Sequence, residues 1–236
     1  MTTDSAHYPP ISVPGRHSSS LVDRAYSGIR DAIAGLQLQP GQALTEASLS
    51  EWLGIGRMPV REALLRLRDE GLVESVPRKG YYVSRLSADE AQEIYETLEG
   101  LESVAAKLAA ERATPVDLER LEVAVRRLED ALERDDLDAW AAADDAVHET
   151  ILDIARNRQL QRMAQSLQVR VKRLQLFTIR MRPKPVVSTR THRAQLDAIK
   201  AGDGKLAREL RQELWVRARA EMVNIVRRYA SPSGMV

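Results

Sequence analysis

Thr45 to Arg85 reads TEASLSEWLGIGRMPVREALLRLRDEGLVESVPRKGYYVSR, and the spacing of its apolar residues decides the fold of the first part of the chain. Leu49, Trp52 and Leu53 share one side of a short helix, which Gly54 and Gly56 interrupt at a sharp turn. Val60, Ala63, Leu64 and Leu67 then recur at helical spacing. Pro59 falls in the first turn of this second helix, where a missing N–H costs little, and Gly71 closes it. Two helices joined by a turn of about three to four residues containing glycine form a helix-turn-helix, whose second helix offers its N-terminal residues to the major groove of DNA.

Arg57 and Arg61 lie one turn apart at the start of that helix, beside the apolar stripe rather than on it. A guanidinium there can grip O6 and N7 of a guanine with two parallel bonds, worth roughly 1–3 kcal/mol of discrimination. Arg68 shares the face further along and is placed for a phosphate, whereas Arg66 projects elsewhere. Leu72 to Val76 is strand-like, Pro77-Arg78-Lys79-Gly80 turns the chain, and Tyr81 to Ser84 returns it as a wing with a basic tip. Gly80 lets the backbone approach a sugar-phosphate wall closely.

Working outward, residues 1–20 are rich in Ser and Pro and read as a mobile arm, with Arg16 and His17 within it. Leu21, Ala25, Ile29 and Ile33 form the stripe of a further helix ending at Gly35, followed by a turn at Leu38-Gln39-Pro40-Gly41. These elements make residues 21–86 one winged helix-turn-helix domain. Ser87, with Glu90 three residues on, opens a long alanine-rich helix in a capping-box pattern. Breaks at Thr114-Pro115, Arg134-Asp135-Asp136, Ala155-Arg156-Asn157, Arg182-Pro183-Lys184-Pro185 and Ala201-Gly202-Asp203-Gly204 divide residues 87–230 into six helices, and residues 231–236 are a tail. The expected fold is mainly α: a winged helix-turn-helix followed by a six-helix antiparallel bundle, with no sheet outside the wing.

Whole-chain composition narrows the function. Thirty-five basic against 34 acidic residues in 236 leave a net charge of +1, so bulk charge cannot carry nucleic-acid binding and specific contacts must. There is no cysteine, which excludes disulfides, thiolate metal sites and a cysteine nucleophile and fits a reducing cytoplasm. No apolar run approaches the roughly 18 residues of a membrane span. In the bundle, Asp144 and His148 lie four apart on one helix face, a spacing at which carboxylate and imidazole can meet one ion, and His192 can join them from another helix. No general base or oxyanion arrangement accompanies them, so an enzyme is not expected. Arg170, Lys172, Arg173, Arg180 and Arg182 form a basic stretch around Gln175 and Phe177, read first as a solvated or interface face and second as an effector contact.

The run PGQALTEASLSEWLGIGRMPVREALLRLRDEGLVESVPRKGYYV resembles the winged-helix domain of GntR-type bacterial transcription regulators, with Gly56 and Met58 where that family has Ser and Thr. DAVHETILDIARNRQL and THRAQLDAIKAGDGKLA resemble the FCD ligand-binding domain of its FadR subgroup. The resemblance implies an operator in double-stranded DNA, a short inverted repeat read by a homodimer, and contacts from Arg57, Arg61 and Gly80 with Met58 and Pro59 at the helix mouth; the helix face and the basic wing tip add Arg68, Arg78 and Lys79 as DNA contacts. It further implies a small-molecule effector in a pocket around Leu98, Glu102, Arg173 and Leu214. A divalent metal (Zn, Ni or Mn) on Asp144, His148 and His192 is implied too, with Leu214 at the position of a fourth ligand. Leu98 stands where the family carries an arginine. Glu213 or a water could complete a metal site. The alternatives are a more apolar ligand, or histidines that no longer hold metal in a regulator that binds DNA without a ligand.

Overall fold

The computed structural model describes residues 20–229; the expected tail, and all of the expected arm except Ser20, lie outside the described residues. The chain divides into two compact units between Leu86 and Ser87.

In the first unit, helix α1 spans Leu21–Ala34, α2 Glu46–Leu53 and α3 Arg57–Asp69, with strands β1 (Ala43–Leu44), β2 (Val73–Val76) and β3 (Gly80–Val83). Ser20 caps α1 by accepting the Asp23 amide, and Thr45 caps α2 by accepting that of Ser48. The α1 stripe is buried at Ala25, Ile29 and Ile33, but Leu21 is half exposed. Successive steps of four residues advance about 40° around a helix of 3.6 residues per turn, so three steps rotate Leu21 off the face of Ile33. Tyr26 fills the stripe instead. Its hydroxyl donates to Glu70, and the Arg66 guanidinium lies 3.9 Å from its ring centroid. Arg66 is thereby drawn away from the free face of α3. Sequence reading finds the β2–β3 hairpin but not its third strand: β1 pairs antiparallel with β3, Ala43 opposite Tyr82 and Leu44 opposite Tyr81. Two residues are too few to show an alternation.

In the second unit the described residues form six α-helices: α4 Ala88–Arg112, α5 Pro115–Glu133, α6 Leu137–Ile154, α7 Arg158–Thr178, α8 Val186–Lys200 and α9 Gly204–Tyr229, with a 3-10 turn at Ile179–Met181. Helix α4 packs against α6, α7, α8 and, most extensively, α9. Its buried face is largely alanine (Ala91, Ala105, Ala106, Ala109, Ala110), which lets neighbouring helices approach closely. Trp140 anchors the α5–α6 layer against Leu128, Ala131 and Ile179, and its indole N–H donates to Thr189 Oγ1 at 2.9 Å.

The α4–α5 corner is clasped by polar groups. Thr114 and Asp117 form a reciprocal capping box with Pro115 at the first helical position. Asp117 also accepts Arg156 Nη2 at 2.6 Å, while Arg156 Nη1 reaches the Arg112 carbonyl at 2.7 Å. Bonds from the Thr114 hydroxyl and amide, with Arg156, hold the Asp117 carboxyl down at about 2, against burial. A carboxylate with a folded pKa below its unfolded value stabilises fully above the unfolded value and loses that contribution as pH falls through the folded one. Asp117→Ala is therefore expected to cost about 1–2 kcal/mol at pH 6. The gap from wild type should close as pH falls from about 4 to about 2. Urea unfolding at stepped pH checks this, and a gap that stays constant down to pH 2 would remove the assignment.

Candidate functional site

Two groups of side chains stand out, one exposed in the first unit and one buried in the second. In the first unit, Gly54 ends α2 in the left-handed conformation, φ +63°, with its N–H on the Glu51 carbonyl. Ser50 Oγ donates to the Ile55 carbonyl at 2.6 Å, and Leu53 and Ile55 are buried, so the turn into α3 is pinned on both sides. Gly56 caps α3 without a side-chain acceptor, which leaves the first-turn N–H groups available to an outside anion. Arg57, Met58 and Arg61 are exposed around this end, and Pro59 is half-buried. Met58 is 65% exposed, a large apolar side chain held in solvent. Arg61 has only a loose partner, Glu46 at 3.9 Å. Arg68 is exposed and turned onto Asp69 at 2.7 Å. In the wing, Arg78 (φ +66°) and Gly80 (φ +99°) make the reversal, closed by Lys79 N–H on the Val76 carbonyl, and Arg78 and Lys79 project outward.

In the second unit, α6 presents Asp144 and His148 on one face, four residues apart. Helix α8 adds His192, α4 adds Glu102, α7 adds Gln175, and α9 adds Arg211 and Trp215. His192 Nε2 lies 2.9 Å from Asp144 Oδ1, and Gln175 donates to Asp144 Oδ2 at 3.0 Å. Glu102 Oε2 takes His148 Nδ1 at 2.7 Å and Trp215 Nε1 at 3.2 Å, with Arg211 Nη1 at 3.5 Å. Arg211 Nη1 is 3.2 and 3.1 Å from the two nitrogens of the His148 ring. A point equidistant from both lies over the ring face rather than along either lone pair. Arg211 is fully buried, and its Nε and Nη2 have no hydrogen-bond partner; neither has His192 Nδ1.

Burial disfavours charge throughout this cluster, and the neighbours decide which groups keep it. For Glu102, desolvation is outweighed by His148 and, further, by Arg211; for Asp144 it is outweighed by His148, then by the bond from His192 and last by Arg211, so both carboxyls are held below their ordinary range. At His148 the Glu102 carboxylate overcomes burial and raises the imidazole pKa. At His192 burial wins over the bond to Asp144, and the pKa is lowered. A neutral His192 donates Nε2–H to Asp144 and leaves Nδ1 bare. Next to this set, burial and the charge of Asp144 push Asp145 up to about 6, with Lys172 opposing.

One donor atom each from Asp144, His148 and His192 lies within 4.8 Å of the others, near enough to surround one ion. The rest of the set does not fit a divalent metal. Leu214 is buried and offers no donor atom, and Glu213 turns outward onto Arg217 at 2.8 Å rather than completing the site. The guanidinium lying across His148 already supplies the positive charge. At an effective dielectric of about 20, a unit charge and a divalent ion about 4 Å apart repel by roughly 8 kcal/mol.

Residues 21–83 match the bacterial regulatory proteins of the gntR family, and residues 93–217 match the FCD domain. The chain belongs to the GntR family and carries an FCD domain. An HTH-type transcriptional regulator in the TAR-I ttuE-ttuC' intergenic region of Agrobacterium vitis is 40% identical over 141 residues, covering 58% of this chain and 82% of that protein. The HTH-type transcriptional repressor RspR of Escherichia coli K12 is 27% identical, covering 76% and 78% of the two chains. Among solved structures, E. coli McbR/YncC superposes with a TM-score of 0.77 at 25% identity, over 88% of this chain and 99% of that one. The chain is thus a GntR-family DNA-binding transcription regulator and not an enzyme.

Within this GntR chain, the bundle cluster contains more than the sequence reading assembled. Glu102, placed in an effector pocket by resemblance, sits in the same constellation as Asp144, His148 and His192; Leu98, Arg173 and Leu214 are buried. Arg211 and Trp215 were missed, and Gln175 was read only as part of the basic stretch. A signal existed for Arg211: Ala207, Arg211, Leu214 and Trp215 recur at helical spacing, so a charged residue stands in phase on an apolar stripe. The basic stretch is internally paired rather than free: Arg170 with Glu90, Lys172 with Asp145, Arg180 with Asp138 and Arg182 with Glu221.

The helix-turn-helix turn gives a stability test. A Cβ at Gly54 meets nothing within 4 Å, so substitution there costs only backbone strain. Gly54→Ala should destabilise by about 1 kcal/mol, and Gly54→Asn by less. Equal stability of Gly54→Ala and wild type in urea unfolding would contradict the left-handed cap.

Proposed function

We propose that the chain is an effector-responsive homodimeric repressor that reads a short inverted repeat in operator DNA. Residues 21–86 serve as the reading head, and residues 87–230 hold the effector and the dimer contact. The observation that carries this reading is the pair of exposed guanidinium groups, Arg57 and Arg61, one turn apart at the uncapped start of α3. Bases are met by Arg57, Met58, Pro59 and Arg61, and phosphates by Arg68, Arg78, Lys79 and the backbone at Gly80. Arg68 leaves Asp69 for phosphate when DNA arrives, an exchange between exposed charges that costs little. Repression rather than activation is supported by the likeness to RspR, a transcriptional repressor, and a cytoplasmic location by the DNA target. Among the described residues no helix is long and apolar enough to cross a membrane.

Ligand acts through differential affinity for two arrangements of the dimer. A second reading, favoured by the buried apolar Leu98 and Leu214, is a dimeric regulator that binds DNA without a ligand.

Fluorescence anisotropy on an operator isolated by selection tests the reading head. Arg57→Ala and Arg61→Ala should each weaken specific binding by about 10-fold or more, since a bidentate arginine–guanine contact is worth roughly 1–3 kcal/mol. Sedimentation should show the dimer intact in both variants. Full operator affinity in both would remove the recognition-helix assignment, and a monomer bound to a single half-site would remove the dimer.

A further inference from the structure

We propose that Arg211 takes the place of a metal ion in the bundle, and that its unpaired edge binds the carboxylate of a small organic acid without any metal. The inference rests on the effector-responsive reading above and deepens it.

Three observations carry it. Arg211 is completely buried on α9, and its contacts with Glu102 and His148 all use one terminal nitrogen, Nη1. The other edge, Nε and Nη2, is buried with no acceptor. Those two N–H groups point the same way in a guanidinium and form the fork that pairs a carboxylate with two parallel bonds. A buried charged donor without an acceptor loses its hydration and gains nothing in return, so a fork left open inside a protein asks for a ligand. His192 Nδ1 is a second buried atom without a partner in the same cluster.

The same side chain accounts for the poor fit to metal. A divalent ion held by Asp144, His148 and His192 would sit beside a fixed cation that Glu102 and the His148 ring hold in place. Arg211 comes from α9, one turn before the buried Leu214, so the helix that offers no donor atom at Leu214 brings a guanidinium into the site instead. The site keeps its positive charge and changes its source. Lysine at this position would keep the charge but not the fork.

The test uses the full-length protein after EDTA treatment and dialysis, with zinc, acetate, propionate, benzoate and neutral acetamide as probes. Wild type should bind less than 0.1 zinc per chain, and one or more carboxylates should raise its melting temperature equally with and without EDTA while acetamide does not. Arg211→Lys should lose that shift. In the converse arm, Leu214→His alone should remain without zinc, whereas Arg211→Met with Leu214→His should gain about one zinc per chain, read by competition with a chromogenic chelator. Stoichiometric zinc on wild type that is lost in His148→Ala would overturn the proposal, as would zinc binding by Leu214→His equal to that of the double variant. A carboxylate shift that needs zinc would overturn it while leaving an effector-responsive regulator intact. If no carboxylate shifts wild type, the ligand assignment falls. Operator affinity indifferent to every acid that binds would instead sink the effector-responsive reading and leave Arg211's role standing.

Discussion

The bundle is built around a chain of buried polar and charged groups: Glu102 on α4, His148 and Asp144 on α6, His192 on α8 and Arg211 on α9. Two carboxylates and a guanidinium inside a helical core are costly to desolvate and hold only while each has its partners. Four helices are therefore tied to one another by an interaction that tolerates little displacement. The aromatic rings make the same joint from the apolar side, with Trp215 edge-on to both Tyr95 and His148 at centroid separations of 5.3 and 5.2 Å. The tie is polar and unfinished, since donors remain without acceptors within it. Such a joint can be completed by a ligand, and completing it changes the balance of forces on all four helices at once.

The reading head uses charge in the opposite way. Arg57, Arg61, Arg78 and Lys79 are exposed, and their fields are available to an outside partner. The arginine that would confuse the face, Arg66, is drawn onto Tyr26, Asp23 and Glu70. The near-neutral net charge of the chain belongs with this arrangement, because specificity needs a few placed cations rather than many loose ones.

Most of the fold was legible because it follows from periodicity and caps. Ser87 opens a helix where the sequence places a cap, and Gly54 turns the chain where two glycines break the period. What escaped was short or depended on tertiary packing: β1 is two residues long, and Leu21 lies outside the stripe in which a four-residue spacing places it. In the bundle site, Asp144 and His148 could be paired from their spacing on one helix, whereas their meeting with Glu102 and Arg211 requires knowing which faces of α4 and α9 oppose each other. A charged residue in phase with Ala207 and Leu214 was visible in the sequence. Its meaning was not, because a long helix carries many arginines and only packing distinguishes a buried one from a solvated one.

The claim that one buried ionic joint holds these helices is open to a double-mutant cycle on Glu102→Gln and Arg211→Met. Urea unfolding at fixed protein concentration would follow Trp140 and Trp215 fluorescence in a Trp52→Phe background. The joint requires each single variant to lose several kcal/mol and the pair to fall short of additivity by at least about 1 kcal/mol, because removing both charges leaves neither stranded. Losses that add to within about 0.5 kcal/mol would show that the two residues act independently and would contradict the account.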